Sequence, residues 1–280
     1  MSTILQAGQT VGDRYILEDL IYESPRITVV KALSATAGAR VALKFLGNKL
    51  IADEGAVARF HHEAMHVSSL GNPHVVQYVD FGALENGEPY QVMEYVDGPT
   101  MADAVRELGP LPIEHAVVWV LQAADVVGAG HAVGVIHRNL SLRNLLLDGD
   151  NQILKVMGFS VARYPALGPD HPGILLGTPS TMSPEQVQSP DTIDARTDIW
   201  ALGVILYEML TGVPPFSGDN VSEVALAIVS QQPAPLRSHR PDLPPGLEAA
   251  VLWALRKNPD ERPASVEAWA EALLPFAPAD

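Results

Sequence analysis

The sequence contains no cysteine, which excludes a disulfide framework, a thiolate zinc site, an iron–sulfur cluster and a cysteine nucleophile, whatever the compartment. It is short of positive charge: 18 Lys plus Arg stand against 33 Asp plus Glu, a net −15. Such a field repels phosphate backbones and anionic headgroups, so neither a nucleic-acid partner nor a membrane-surface role is expected. Long apolar runs are missing too. The longer charge-free stretches, Ala64 to Val79 and His171 to Pro184, are broken by proline and polar side chains and fall short of the roughly 18 residues that a spanning helix needs. Met1 to Gly12 carries no Lys or Arg, hence no basic start of a signal peptide, and the expected location is the cytoplasm. Charged residues make up only 18% against 47% hydrophobic in 280 residues. That balance describes a globular chain of one large or two modest domains, not a disordered one.

What is present changes character part-way along. From Tyr15 to about Val92, short β-branched and apolar runs (Ile27 to Val30, Val41 to Phe45, Val75 to Val79, Tyr90 to Met93) are separated by Gly, Pro and Asn, the pattern of a small sheet. One helical stretch, Glu54 to Leu70, interrupts it and stops at Gly71-Asn72-Pro73. Beyond Asp97-Gly98-Pro99 the period becomes helical, over Ile113 to Val133, Thr197 to Thr211, Val221 to Ser230, Gly246 to Lys257 and Ser265 to Leu274. The acid excess is uneven: 7 − 11 = −4 up to residue 96 and 11 − 22 = −11 beyond it. An acidic second half can meet a basic partner or simply keep the chain soluble.

Alternation in Val41-Ala42-Leu43-Lys44 puts Ala42 and Lys44 on one strand face, with the lysine able to pair with an acid. Glu63 follows within the predicted helix, and then, in order, His137-Arg138-Asn139, Asn144, Gly158-Phe159, Ser183-Pro184-Glu185, Asp198 and Arg262. This ordered set resembles a protein kinase from Tyr15 to about Leu274. Val92-Met93-Glu94-Tyr95-Val96-Asp97-Gly98 and Gly177-Thr178-Pro179 resemble the bacterial eukaryotic-like (Hanks-type) serine/threonine kinases. The resemblance implies an α+β, two-lobed fold: a β-rich N-lobe with one C helix over residues 1–96 and a mainly helical C-lobe over 97–280, together one kinase-like domain. It implies Lys44 as the phosphate-binding lysine and Glu63 as its ion-pair partner. Met93 is then the gatekeeper, Glu94 to Val96 the hinge whose backbone meets an adenine edge, and Val29, Ala42 and Leu146 the residues beside the ring. His137, Phe159, Val67 and Tyr78 match a packed spine, Glu185 and Arg262 a buried ion pair, and Asp198 the acid that holds the catalytic loop.

The departures from the family fall on groups that do chemistry. Asn139 replaces the catalytic aspartate, Ser141 the catalytic-loop lysine, Gly158 the aspartate that holds magnesium, and Ser160 the glycine after Phe159. Tyr22, Ser24 and Ile27 stand at the three glycines of the phosphate loop, with Pro25 between, so backbone cradling of phosphates is obstructed. An amide is no base, and losing a positioned base removes about 10² to 10⁴ in rate. Asn144 alone is a poor anchor for a cation that prefers carboxylates. Between Phe159 and Thr178 the only hydroxyls are Ser160 and Tyr164, so a phosphorylation switch is not expected there, and Arg138 is left for a local contact.

The resulting expectation is a pseudokinase that is not an enzyme: a scaffold or allosteric regulator with no catalytic residue, no resident metal and no required cofactor. Weak, metal-independent binding of ATP or another adenine nucleotide through Ala42, Lys44, Glu63, Glu94, Val96 and Leu146 stays open. The expected partner is a protein, such as an active kinase, a kinase substrate or another signalling protein, and a homodimer is an option. The alternatives are a nucleotide sensor or a residual weak serine/threonine kinase. More remote is a zinc hydrolase through His62-Glu63-Ala64-Met65-His66, a literal H-E-x-x-H whose glutamate already has a place opposite Lys44.

Overall fold

The computed structural model describes residues 6–47, 50–149, 153–159, 162–163 and 177–278. Its contacts divide the chain into two compact units, Met1–Asp97 and Gly98–Asp280.

The first unit is an antiparallel sheet in the order β1-β2-β3-β4-β6-β5, built from β1 (Thr10–Val11), β2 (Tyr15–Glu23), β3 (Ile27–Ser34), β4 (Arg40–Leu46), β5 (Tyr78–Ala83) and β6 (Pro89–Glu94). Residues on a strand alternate between faces. In β4 this sends Val41, Leu43 and Phe45 into a core with Tyr15, Leu17, Val30, Tyr90 and Val92, while Ala42 and Lys44 take the other face. That face is also buried, because α1 (Glu54–Ser69) supplies the partner of Lys44. Helix α1 starts at Asp53, whose Oδ1 accepts the Ala56 N–H at 3.1 Å, and stops before Gly71, whose φ of +60° suits a residue without a Cβ. The strand read at Val75 to Val79 begins later, at Tyr78. Asn72 Oδ1 accepts the His74 N–H at 2.8 Å, so an Asx turn carries the buried Val75 and Val76 before pairing starts.

The second unit is organised around α5 (Arg196–Thr211), buried along nearly its whole length, as a helix apolar on every side must be. It packs against α3 (Ile113–Ala132), α8 (Pro245–Ala254) and α9 (Val266–Leu273). Helix α8 ends at Ala254, before the expected Lys257, and the carbonyls of Arg256 and Lys257 accept from the Arg262 guanidinium at 2.7 and 3.1 Å. Elements that the periodicity did not show are α2 (Met101–Leu108), capped by Thr100, and a two-stranded ribbon of β7 (Leu145–Asp148) and β8 (Ile153–Val156). Helices α4 (Pro184–Gln188), α6 (Val221–Ser230) and α7 (Leu236–His239) complete it. Among the described residues no helix is long and apolar enough to cross a membrane.

Candidate functional site

In the first unit the sheet and α1 bring two charged groups together out of water. Lys44 Nζ donates to Glu63 Oε2 at 2.5 Å, with side-chain exposures of 2% and 0%. The ammonium lies 5.6 Å from the centre of the Phe60 ring. A buried ion pair gains little over well-packed apolar residues, because desolvation offsets most of the attraction. A pair retained in such a place therefore points to a use beyond packing. Two N–H bonds of the ammonium remain beyond the one that Glu63 takes, and Glu63 Oε1 has no hydrogen-bond partner among the described residues. Ala42 stands opposite Met93, and Val29 opposite Lys44, across the ladders. At the end of β6, Glu94 is tied twice to Gln77: its N–H donates to Gln77 O at 2.9 Å, and its Oε1 accepts the Gln77 N–H at 3.0 Å. Val96 follows, half-buried.

The β2–β3 tip, where glycines were expected to be missing, is closed by its own serine. Ser24 Oγ accepts the N–H groups of Arg26 and Ile27 at 3.3 and 3.1 Å, and Arg26 O accepts the Gly47 N–H at 2.6 Å. A Cβ at Gly47 would lie 2.4 Å from Pro25 O, so the tip sits directly on this glycine.

In the second unit the loop His137–Asn144 hangs from one carboxylate. Asp198 Oδ1 accepts the Arg138 N–H at 2.8 Å, and Oδ2 accepts the His137 N–H at 2.9 Å. Burial acts to raise the Asp198 carboxyl, but the hydrogen bond from His131, the charges of His131 and His137 and the Arg138 N–H outweigh it and hold the group below the ordinary carboxylate range. His131 lies 2.8 Å away on the last turn of α3. Sequence reading missed it, because no motif marks a residue whose role is to reach a different helix. Gln186 and Thr181 were missed likewise. Gln186 Nε2 donates to Arg138 O at 3.0 Å, and the Thr181 hydroxyl donates to Leu140 O at 2.7 Å. The backbone of the loop is thus tied at successive carbonyls. Arg262 holds Glu185 through both guanidinium ends at 2.7 Å.

At the tip of this loop Asn139 Oδ1 accepts the Thr178 hydroxyl at 2.9 Å. The amide N–H faces Gly158 O at a long 3.5 Å. Asn144 Nδ2 donates to Asn139 O at 2.7 Å. Ser141 is buried, and its Oγ has no hydrogen-bond partner among the described residues. The rings of His137 and Phe159 pack 4.3 Å apart, so His137 serves packing and its Nε2 meets Met157 O at 3.2 Å. Leu146 lies in β7 opposite Lys155. Ser160 and Tyr164 lie outside the described residues.

A magnesium ion, which the kinase family implies, does not fit the donors found here. Arg138–Asn144 and Met157–Phe159 contain no carboxylate, while this cation is held by one or two of them plus phosphate oxygens. Nor is there room to supply one without rearrangement. Gly158 has φ +95°, and a Cβ on it would lie 2.7 Å from Asn144 Cγ, so the asparagine occupies the space into which an aspartate would extend. For the H-E-x-x-H reading, Glu63 is committed to Lys44, and no group of three or more His, Cys, Asp or Glu suited to a metal occurs among the described residues. The side chain of His66 lies outside the described part.

Comparison with known proteins gives these arrangements a family. The protein kinase domain family matches residues 27–274. The serine/threonine-protein kinase pkn3 of Myxococcus xanthus is 36% identical over 95% of this chain and 50% of its own length. The serine/threonine-protein kinase PknB of Mycolicibacterium smegmatis is 37% identical over 91% of this chain and 41% of its own. The chain thus spans about half the length of the curated relatives it matches. The crystal structure of the PknI kinase domain from Mycobacterium tuberculosis superposes with a TM-score of 0.75 at 24% identity, covering 98% of this chain and all of that one. It shares the fold: a curled β-sheet N-lobe and a helical C-lobe.

Relatives named as kinases, this similar over nine-tenths of the chain, overturn the expectation that the chain is not an enzyme. The physical reason is that phosphoryl transfer passes through a loose transition state, which asks more of positioning and charge than of a base. Replacing the base position therefore weighed too heavily in the reading of the sequence. With the retained lysine–glutamate pair, the loop suspended from Asp198 and the match along residues 27–274, this chain belongs to the protein kinase domain family, among bacterial serine/threonine kinase relatives.

Proposed function

We propose that the chain is a serine/threonine kinase domain of low turnover, which takes an adenine nucleotide without depending on a divalent cation. The observation that carries this reading is the buried Lys44–Glu63 pair: a charged group held out of water with N–H donors to spare suits a phosphate better than it suits a core. In this reading Lys44 holds the phosphates and Glu63 holds Lys44. Ala42 flanks the adenine, and the backbone at Glu94 and Val96 meets its edge. Asn139 orients an acceptor hydroxyl without removing its proton. Kinases turn over at about 1 to 100 per second, and loss of a base removes about 10² to 10⁴, so the transfer is expected well below one per second. Slow transfer is compatible with a second output, a nucleotide-dependent affinity for a protein partner.

The test is transfer of labelled γ-phosphate from ATP to serine- and threonine-containing protein, in magnesium and in chelator. Slow transfer in both conditions, lost in Lys44→Ala, is expected. Transfer indifferent to Lys44→Ala, or none on prolonged incubation with millimolar ATP, contradicts the reading. A parallel thermal-shift titration reads nucleotide binding alone, since a ligand of the folded state raises stability.

A further inference from the structure

Away from the catalytic loop, the second unit holds one lysine in aromatic surroundings. The rings of Trp200, on α5, and Phe216 stack 5.5 Å apart and within 7° of parallel, and both side chains are buried. Lys257 Nζ lies 4.0 Å from the centre of the Phe216 ring and 4.9 Å from that of Trp200. It donates to Ile228 O, in the last turn of α6, at 2.5 Å. Among the described residues no carboxylate pairs with it, whereas Lys44 has Glu63. The charged group that bears on Lys257 is the Arg262 guanidinium, which lies 5.1 Å from the same Trp200 ring and is committed to Glu185 through both ends.

Two influences compete at this ammonium. The ring faces and the carbonyl favour the charged form, while burial and a second cation favour the free amine. Burial prevails, with Arg262 adding to it, and the group is pushed down to about 8. At about pH 7.5 roughly a quarter of such a group is free amine, against about one part in 10³ for an unperturbed lysine. A lysine set among apolar groups beside another cation is thereby activated as a nucleophile. Its side chain is half-buried rather than sealed in the core. The cluster also has a donor to spare, because the buried Trp200 indole N–H has no acceptor among the described residues.

We propose that Lys257 is a site of acylation that takes its acyl group from a thioester of low charge. The free amine attacks the thioester carbonyl and an N–C bond forms. The C–S bond breaks, the sulfur leaves as a thiol with the proton that the nitrogen gives up, and a neutral amide remains. The product suits its surroundings: it keeps one N–H for Ile228 O, and a flat amide with an apolar acyl group packs on ring faces. Low charge is part of the claim, since the residues beyond 96 sum to 11 − 22 = −11 and repel donors that carry phosphates.

The chain has five lysines, Lys31, Lys44, Lys49, Lys155 and Lys257, so selectivity is easily read. The whole chain is incubated with N,S-diacetylcysteamine, an uncharged thioester, and the acetyl occupancy of each lysine is followed by peptide mass spectrometry. At about pH 7.5, Lys257 is expected to be acetylated about 10-fold faster than Lys31 or Lys155, since each unit of depression frees about ten times more amine and crowding takes back part of that gain. Its rate should level off above about pH 8, where the amine is already free. Unfolding in urea should erase the advantage. Acetylation of Lys257 no faster than that of Lys31 and Lys155, a rate at Lys257 still climbing past about pH 9.5, or an advantage that survives urea overturns the proposal. The readout needs neither nucleotide nor phosphoryl transfer, so it stands or falls apart from the kinase reading.

Discussion

The two units treat buried charge in opposite ways. In the first, a lysine and a glutamate face each other out of water at 2.5 Å, with only one of the two carboxylate oxygens used among the described residues. In the second, the deeply buried carboxylate of Asp198 spends both oxygens on the backbone N–H groups of His137 and Arg138 and on His131, while the loop that it holds carries an amide, Asn139, at its tip. Charge survives in the Lys44–Glu63 pair and where Asp198 grips a backbone, and is missing at Asn139 and Gly158, where the family has aspartates. Scaffold and chemistry are therefore separable in this fold, and each half of the comparison can be broken on its own.

The largest effect is expected at Asp198. Asp198→Ala strands two buried N–H groups and the His131 ring, and should cost on the order of 4 kcal/mol in denaturant unfolding. A cost under about 1 kcal/mol would mean that the loop does not depend on this carboxylate. Next comes the other pair. Glu63→Ala leaves the Lys44 ammonium without its carboxylate and should cost about 3 kcal/mol. The double change Lys44→Met with Glu63→Leu should restore most of that stability and still abolish the nucleotide-induced thermal shift. If nucleotide continued to protect the double variant, the pair would be packing alone.

A smaller effect is expected at Gly158. Gly158→Asp forces a side chain onto a backbone at φ +95° and against Asn144, so it should lose about 1 to 3 kcal/mol and gain no magnesium-dependent nucleotide affinity by titration calorimetry. Clear magnesium dependence in this variant would show that Asn144 yields easily. The mildest perturbation is acid. The Asp198 carboxyl is held low in the folded state, so its contribution is complete above the unfolded value of about 3.9. That contribution is lost as the pH falls through the lower folded value. Asp198→Asn should flatten this part of the acid unfolding curve, and an unchanged curve would assign the acid limb to other carboxylates.

Much of the fold was legible because hydrophobic periodicity is local. The α1 and α5 stretches, and the strands around Lys44 and Met93, could be read from three or four neighbours at a time. What escaped depends on distance. The β7–β8 ribbon is short, and its members find each other only in three dimensions. The Val75–Val76 pair has strand composition but is delayed by the Asn72 turn. At the site, Lys44, Glu63 and Asp198 were legible through the resemblance of the ordered set to protein kinases, whereas His131, which reaches the Asp198 carboxylate, and Gln186 and Thr181, which reach the loop's backbone, carry no signature. Nor could the sequence show that Asn144 fills the space over Gly158, which turns a missing carboxylate into an excluded one.

The central claim is that the loop is slow because Asn139 cannot accept a proton, while the Lys44–Glu63 pair and the Asp198 anchor of the loop are in place. The most direct measurement is the ratio of phosphoryl-transfer rates of Asn139→Asp and the unaltered chain under one set of conditions. Thr178 keeps an oxygen to bond in either case. A rise of about 10² or more is predicted, within the range for a positioned base. Equal rates in the two proteins, or transfer in neither, would contradict the account.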